Sequence, residues 1–138
     1  MNTYAQTDVG KTRDVNEDAV LATVVDDVAL LIVADGMGGH AAGDVASEMA
    51  VGQIEDEVLD GLNSGHADYE RLLGSAITAA NRRICDAAAA DTSLSGMGTT
   101  VVAALIDETS ALVATVGDSR CYHIDDELTQ VTTDQSLV

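Results

Sequence analysis

The hydrophobic pattern along the chain predicts short strands on either side of a central helical region. The run at residues 28–34 is almost wholly apolar, and the pair Asp26-Asp27 separates it from the preceding run as a hairpin turn would. Further turns are predicted at Asp107-Glu108 and Asp125-Asp126. The predicted strands cover residues 2–8, 19–25, 28–34, 99–106, 110–116 and 121–124.

Two amphipathic helices are predicted between these strands. Asp44 should cap the first, in which apolar residues recur at helical spacing up to Leu62. After a break at residues 63–65, the second runs to about Asp91 and places Leu73, Ile77, Ala80, Ile84 and Ala88 on one face. The order of elements, with strands first, then two helices and then strands again, does not alternate as in a doubly wound parallel sheet. The sequence therefore predicts an α+β layered sandwich in which the two helices pair.

Small aliphatic side chains must fill the core, because the 138 residues include no Phe, Trp or Pro. A chain of this length fits one domain with a real core. Two cysteines, Cys85 and Cys121, form neither a disulfide framework nor a thiolate metal site, and we expect both to be core thiols.

The charge balance is strongly acidic, with 24 Asp and Glu against 6 Lys and Arg and a formal net charge of −18. Nucleic acid and anionic membranes are therefore disfavoured as partners. Self-repulsion of this size favours a salt-rich cytoplasm, as in halophiles, and an ordinary acidic domain is the alternative. The chain shows no leader-like start and no apolar run near the ~20 residues of a membrane helix, so we expect a cytoplasmic protein.

Residues 10–18 (GKTRDVNED) place Arg13 beside carboxylates, at a junction between two predicted strands. A guanidinium offers a planar fork of donors for phosphate oxygens, and carboxylates suit hydrated metal ions. The spacing of Asp14, Asn16 and Asp18 also matches the start of a calcium-binding EF-hand loop. That alternative fails, because Ala19 and Val25 stand where Gly and Glu are required.

Residues 35–43 (DGMGGHAAG) hold four glycines in nine positions and are predicted to be a loop. Asp35 follows a buried strand, where an Asp-Gly turn and a site for Mg²⁺ or Mn²⁺ are both open possibilities. His40 could donate a proton to a substrate or be a bystander. Residues 117–120 (GDSR) form a further polar cluster at a strand end, or simply a turn.

These clusters together resemble the metal-dependent protein serine/threonine phosphatases, the PPM-type or protein phosphatase 2C family. The motifs are GKTRDVNED (10–18), VADGMGGHAAG (33–43), GMGTT (96–100) and VGDSR (116–120), in that order. The segment 133–136 (TDQS) is similar to the family's Asp-His-Ser segment, with Gln135 in place of histidine. The resemblance implies an α-β-β-α sandwich of two antiparallel sheets between pairs of helices.

The resemblance also implies a reaction and roles for individual residues. It implies hydrolysis of phosphoserine or phosphothreonine in proteins by water activated at two Mn²⁺ or Mg²⁺ ions, with a possible third ion and with serine/threonine kinases acting in the same pathway. Arg13 would bind the phosphoryl group and His40 would be the general acid. The implied metal site comprises a bridging Asp35, the Gly36 carbonyl, Glu17 and Asp18 through water, and Asp118 at the third ion.

Two aspartate motifs that complete the family's metal site, in Asp-Gly and Gly-x-x-Asp-Asn segments, are absent from these 138 residues. We therefore expect a single domain that is incomplete at its C-terminus. Three interpretations remain open: a piece of an active phosphatase, a phosphoprotein-binding or regulatory module without turnover, and a structural remnant.

Overall fold

A computed structural model of the chain describes residues 1–38, 42–65 and 68–136. The described strands are β1 (Asp18–Val25), β2 (Val28–Met37), β3 (Gly98–Thr99), β4 (Val101–Ile106), β5 (Ala111–Val116), β6 (Tyr122–Ile124) and β7 (Leu128–Gln130). The described helices are α1 (Ala42–Asn63) and α2 (Tyr69–Ala90), followed by a short 3₁₀ turn at Thr92–Leu94.

The main sheet is antiparallel, with the strand order β1-β2-β4-β5 and with β3 paired to the end of β2. A two-residue turn joins β1 to β2, and Asp26 occupies the left-handed region there with φ 53°. Strands β6 and β7 form a separate two-stranded ladder. The predicted α+β class with antiparallel sheets is therefore confirmed.

Both helices pack on one face of the main sheet. Every second residue of β2 faces them, so that Leu30, Ile32 and Ala34 are almost fully buried. Small residues let α1 approach the sheet closely, in agreement with a core that lacks large aromatic side chains. The buried residues that the helices contribute include Ala46, Ala50, Ile54 and Val58 from α1 and Leu73, Ala76, Ala80 and Ile84 from α2.

The opposite face of the sheet carries Val20, Leu31, Val33 and Val102. Together with residues 4–6 and 120–122, these line an apolar groove of about 370 Å³. On this face Leu31 is half-buried and Val33 is 46% exposed, so the apolar sequence of β2 is only partly covered there.

Several predictions of local structure were wrong. Residues 2–8 form no strand, since they find no ladder partner, and β7 was not predicted. Residues 35–37 extend β2 because Gly36 and Met37 pair with β3, although their glycine content favoured a loop. Helix α1 begins at Ala42, so Asp44 lies within its first turn.

The expectation that both cysteines are core thiols was also wrong. Cys85 is exposed because its neighbour Ile84 takes the buried position on α2, and Cys121 is half-buried. Across the described ranges, no helix is long and apolar enough to cross a membrane.

Candidate metal and phosphate site

Asp18 and Asp35 lie directly opposite each other in the β1–β2 ladder. Residues paired in this way project from the same face of an antiparallel sheet, with Cβ atoms roughly 5 Å apart. Alternation along β2 places Ala34 and Gly36 on the buried side, so the Asp35 side chain is on the face away from the helices. The fold therefore brings two carboxylates together at one end of the hairpin.

Asp35 is under electrostatic strain. Although the residue is exposed overall, partial burial of its carboxyl raises its pKa, and the charge of Asp18 and a hydrogen bond with Asp18 raise it further. The Asp118 and Glu17 carboxylates act on the Asp35 pKa in the same direction, with smaller effects. Four acidic groups thus lie within electrostatic reach of one point, as a cation site requires.

Arg13 is the cation beside this cluster. Its Nη1 lies 3.7 Å from Glu17 Oε2, and 74% of its side chain is exposed. Arg13, Glu17, Asp18 and Asp35 line one polar cavity of about 210 Å³, together with Asp8 and Asn16. A guanidinium at the rim of an acidic cavity keeps its donors available to an anion that enters.

Close backbone packing holds the base of the site. The Gly36 N–H donates to the Glu17 carbonyl oxygen at 3.0 Å. A Cβ at Gly36 would overlap the Gly43 carbonyl of α1, and a Cβ at Gly43 would lie 2.9 Å from Glu17 Cδ. The site therefore requires glycine at both positions, where the first turn of α1 meets the strand end.

Thr100, between β3 and β4, forms two hydrogen bonds with the backbone of Asp35. The Asp35 N–H donates to Thr100 Oγ1 at 3.0 Å, and the Thr100 N–H donates to the Asp35 carbonyl at 2.9 Å. Thr100 Oγ1 also lies 2.6 Å from Ser119 Oγ. This side chain thus connects the strand that carries Asp35 to the loop that carries Asp118.

Asp118 lies outside the cavity of Arg13, Asp18 and Asp35. It lines a neighbouring cavity of about 520 Å³, whose wall includes Met37, Thr99 and Gln135. Two hydrogen bonds join Gln135 to Gly117: the Gln135 N–H donates to the Gly117 carbonyl at 2.9 Å, and the Gly117 N–H donates to Gln135 Oε1 at 3.3 Å. The structure therefore places four of the predicted residues, Arg13, Glu17, Asp18 and Asp35, in one cavity and Asp118 in the next.

Arg120 and Asp134 have a structural role that the motifs did not indicate. Arg120 donates to both carboxylate oxygens of Asp134, which lowers the pKa of Asp134. This ion pair connects the last described segment of the chain to the loop that follows β5.

His40 lies outside the described residues. Within the described part of the chain, no three His, Cys, Asp or Glu side chains are arranged so that they could hold a metal ion together. The oxygen donors and the clustered negative charge fit Mg²⁺ or Mn²⁺, but these residues supply only part of a coordination shell.

Sequence reasoning missed Thr100 and Ser119 as members of the site. Both stand inside motifs that the sequence singled out, GMGTT and VGDSR, but local sequence gives no indication of which side chain bridges them. Their roles follow from contacts between residues 19 and 65 positions apart.

Comparison with known proteins gives consistent matches over nearly the whole chain. A family model described as protein phosphatase 2C matches residues 8–136. The serine/threonine phosphatase stp of Listeria monocytogenes is 42% identical over 141 residues, covering 100% of this chain and 56% of that protein.

Solved structures agree with this match. The crystal structure of the Mycobacterium tuberculosis serine/threonine phosphatase PstP/Ppp is 40% identical, with a TM-score of 0.82 over 96% of this chain and 54% of the other. The catalytic domain of PstP in complex with two manganese ions is 38% identical, with a TM-score of 0.80 over 96% and 55%. The chain spans about half the length of these proteins.

Proposed function

Because the chain belongs to the protein phosphatase 2C family, we propose that it carries the phosphate-binding and first metal-binding elements of a serine/threonine phosphatase. The reaction is hydrolysis of phosphoserine or phosphothreonine in a protein by metal-activated water. The ladder pairing of Asp18 with Asp35, next to Arg13 in one cavity, is the observation that carries this proposal.

The chain's own residues have separate roles in the metal site. Asp35 and the Gly36 carbonyl would hold Mn²⁺ or Mg²⁺ directly, Glu17 and Asp18 would hold water molecules bound to the metal, and Asp118 would hold a third ion in the neighbouring cavity. Such ions lower the pKa of bound water and offset the negative charge of the site. The two manganese ions in the related PstP structure support Mn²⁺ as the metal.

Arg13 orients the phosphoryl group, and His40 donates a proton to the departing alkoxide oxygen. The Arg13 guanidinium supplies two parallel donors, as bidentate recognition of phosphate requires. Its exposure and its loose contact with Glu17 leave those donors free to turn towards substrate. An imidazole titrates near ~6.5, so it can donate a proton at neutral pH.

We infer that the substrate is a phosphorylated protein. The chain would then reverse the action of a serine/threonine kinase in a signalling pathway. The similarity to serine/threonine phosphatases supports a protein substrate. The acidic composition supports a salt-rich cytoplasm as the location.

A second function, phosphoprotein binding or regulation without turnover, is favoured by one observation. The described residues offer no three side chains able to hold a metal ion together. An incomplete coordination shell would leave Arg13 to bind phosphate while the chemical step stays slow.

Phosphate release from a phosphoserine peptide in the presence of MnCl₂ separates the two functions. We expect release by the wild-type chain and a loss of about 100-fold or more in Asp35→Asn, since a metal-holding carboxylate is removed. Asp56→Asn, an exposed acidic position on α1, is the matched control and should be unchanged. Retention of the peptide without release would establish the binding module, and neither retention nor release would contradict both functions.

A further inference from the structure

The structure assigns Thr100 as a positioning residue that couples the Asp35 end of β2 to the Asp118 loop, so that the two parts of the metal site are set by one side chain. This inference rests on the proposed function. It concerns a residue that touches no reacting group and acts through the two aspartates.

Thr100 is 95% buried and makes polar contacts in two directions. Its backbone N–H and its Oγ1 both bond to the backbone of Asp35, at 2.9 Å and 3.0 Å, which fixes the peptide units on both sides of the Asp35 Cα. The same Oγ1 lies 2.6 Å from Ser119 Oγ. Because Oγ1 accepts from the Asp35 N–H, its own proton is free to be shared with Ser119.

The methyl group of Thr100 contributes a third contact. Gly117 has φ +101°, and a Cβ built there would lie 2.8 Å from Thr100 Cγ2. The loop residue before Asp118 is therefore packed against Thr100 so closely that only glycine fits. Hydroxyl and methyl together hold residues on both sides of Asp118.

The geometry explains why a threonine stands here. Serine keeps the hydroxyl contacts with Asp35 and Ser119 and loses the contact with Gly117. Valine keeps the shape and the methyl contact but leaves the Asp35 N–H without its acceptor. Groups that orient metal ligands in this way typically change metal affinity by about 10- to 100-fold when they are replaced.

Mn²⁺ titration of ¹⁵N-labelled chain, followed by paramagnetic broadening of the amides of residues 35 and 118, tests the inference. We expect Thr100→Val to weaken Mn²⁺ binding about tenfold or more at both positions, and Thr100→Ser to stay within about threefold of wild type. Thr78→Val, the same change at an exposed threonine of α2, is the matched control and should bind as wild type does.

The variants also separate positioning from simple loss of stability. Each is titrated well below its own melting temperature, and Ser119→Ala, which removes the other end of the hydroxyl contact, should weaken broadening at residue 118 more than at residue 35. That variant decides the matter if Thr100→Val does not fold. Wild-type affinity in Thr100→Val, or in Ser119→Ala where Thr100→Val is unfolded, would overturn the inference alone. Absence of broadening in the wild-type chain would overturn the proposed function and this inference with it.

Discussion

Asp18 and Asp35 are ladder partners in the β1–β2 hairpin, so two carboxylates that are 17 positions apart in sequence face each other across one strand gap. The hairpin sets this distance through its two-residue turn, since shifting the register by one residue would send one of the pair to the helix side. The architecture that stabilises the core thus also places like charges together, at a cost in stability that a bound cation would relieve.

Asp35→Asn should stabilise the metal-free chain at neutral pH. Partial burial and neighbouring negative charges raise the pKa of Asp35, so the stability associated with its protonation is present at acid pH and lost as the pH rises through the folded-state pKa. Since exposed charge interactions contribute at most about 1 kcal/mol, we expect a rise in Tm of up to roughly 4 °C at pH 7.

Thermal unfolding followed by circular dichroism between pH 4 and 8 measures this effect. The Tm advantage of Asp35→Asn over the wild-type chain should shrink as the pH falls towards 3.8, the ordinary pKa of Asp. Asp56→Asn controls for the loss of one negative charge anywhere on the surface. Equal Tm changes in the two variants would show that Asp35 is not strained.

Gly117→Ala should destabilise the chain by about 2 kcal/mol or more. The residue has φ +101°, where a side chain is strained, and its Cβ would meet Thr100. Gly52→Ala, in the middle of α1 at a position where an added Cβ would meet no atom within 4 Å, should instead stabilise by about 1 kcal/mol. Urea unfolding of both variants measures the two changes, and a Gly117→Ala chain as stable as wild type would contradict the packing described.

Added KCl should raise the melting temperature. The net charge of −18 opposes the compact state, and at ~1 M salt the screening length falls to about 3 Å. Calorimetry at rising KCl, with sucrose as a non-ionic control, measures the effect. A Tm that did not rise with KCl would remove the inference of a salt-rich environment.

Arg13→Ala should lower kcat/KM for a phosphopeptide by roughly 10- to 100-fold, because hydrogen bonds to charged groups contribute about 1.5–3 kcal/mol. Arg13→Lys should recover only part of this, since an ammonium lacks the planar fork. Arg82→Ala, which removes the same charge from an exposed position on α2, is the control. An unchanged kcat/KM in Arg13→Ala would show that another group binds the phosphoryl group.

Much of the fold could be predicted from local pattern, and the failures have a common cause. Helical spacing and the apolar run before Asp35 defined α1, α2 and β2, because burial on one face imposes a period. The sequence predicts a loop at residues 35–37, because the pairing of Gly36 and Met37 depends on Thr99 and Gly98, more than 60 positions away. The sequence predicts a strand at residues 2–8, but these residues find no ladder partner in the structure, which local sequence alone does not reveal.

The candidate site likewise contains residues that the sequence identifies and one that it does not. Arg13, Asp18 and Asp35 could be selected because their chemistry is visible in the residue types and in the motifs. Thr100 could not, because its importance lies in which backbone groups it reaches across 65 positions.

Anomalous diffraction from crystals soaked in MnCl₂ tests most directly whether Asp18 and Asp35 form a divalent-cation site. The account predicts a manganese peak within about 2.5 Å of an Asp35 carboxylate oxygen, on the Asp18 side, that is lost in Asp35→Asn crystals and kept in Asp56→Asn crystals. Manganese found only at other surface carboxylates, or nowhere on the chain, would contradict it.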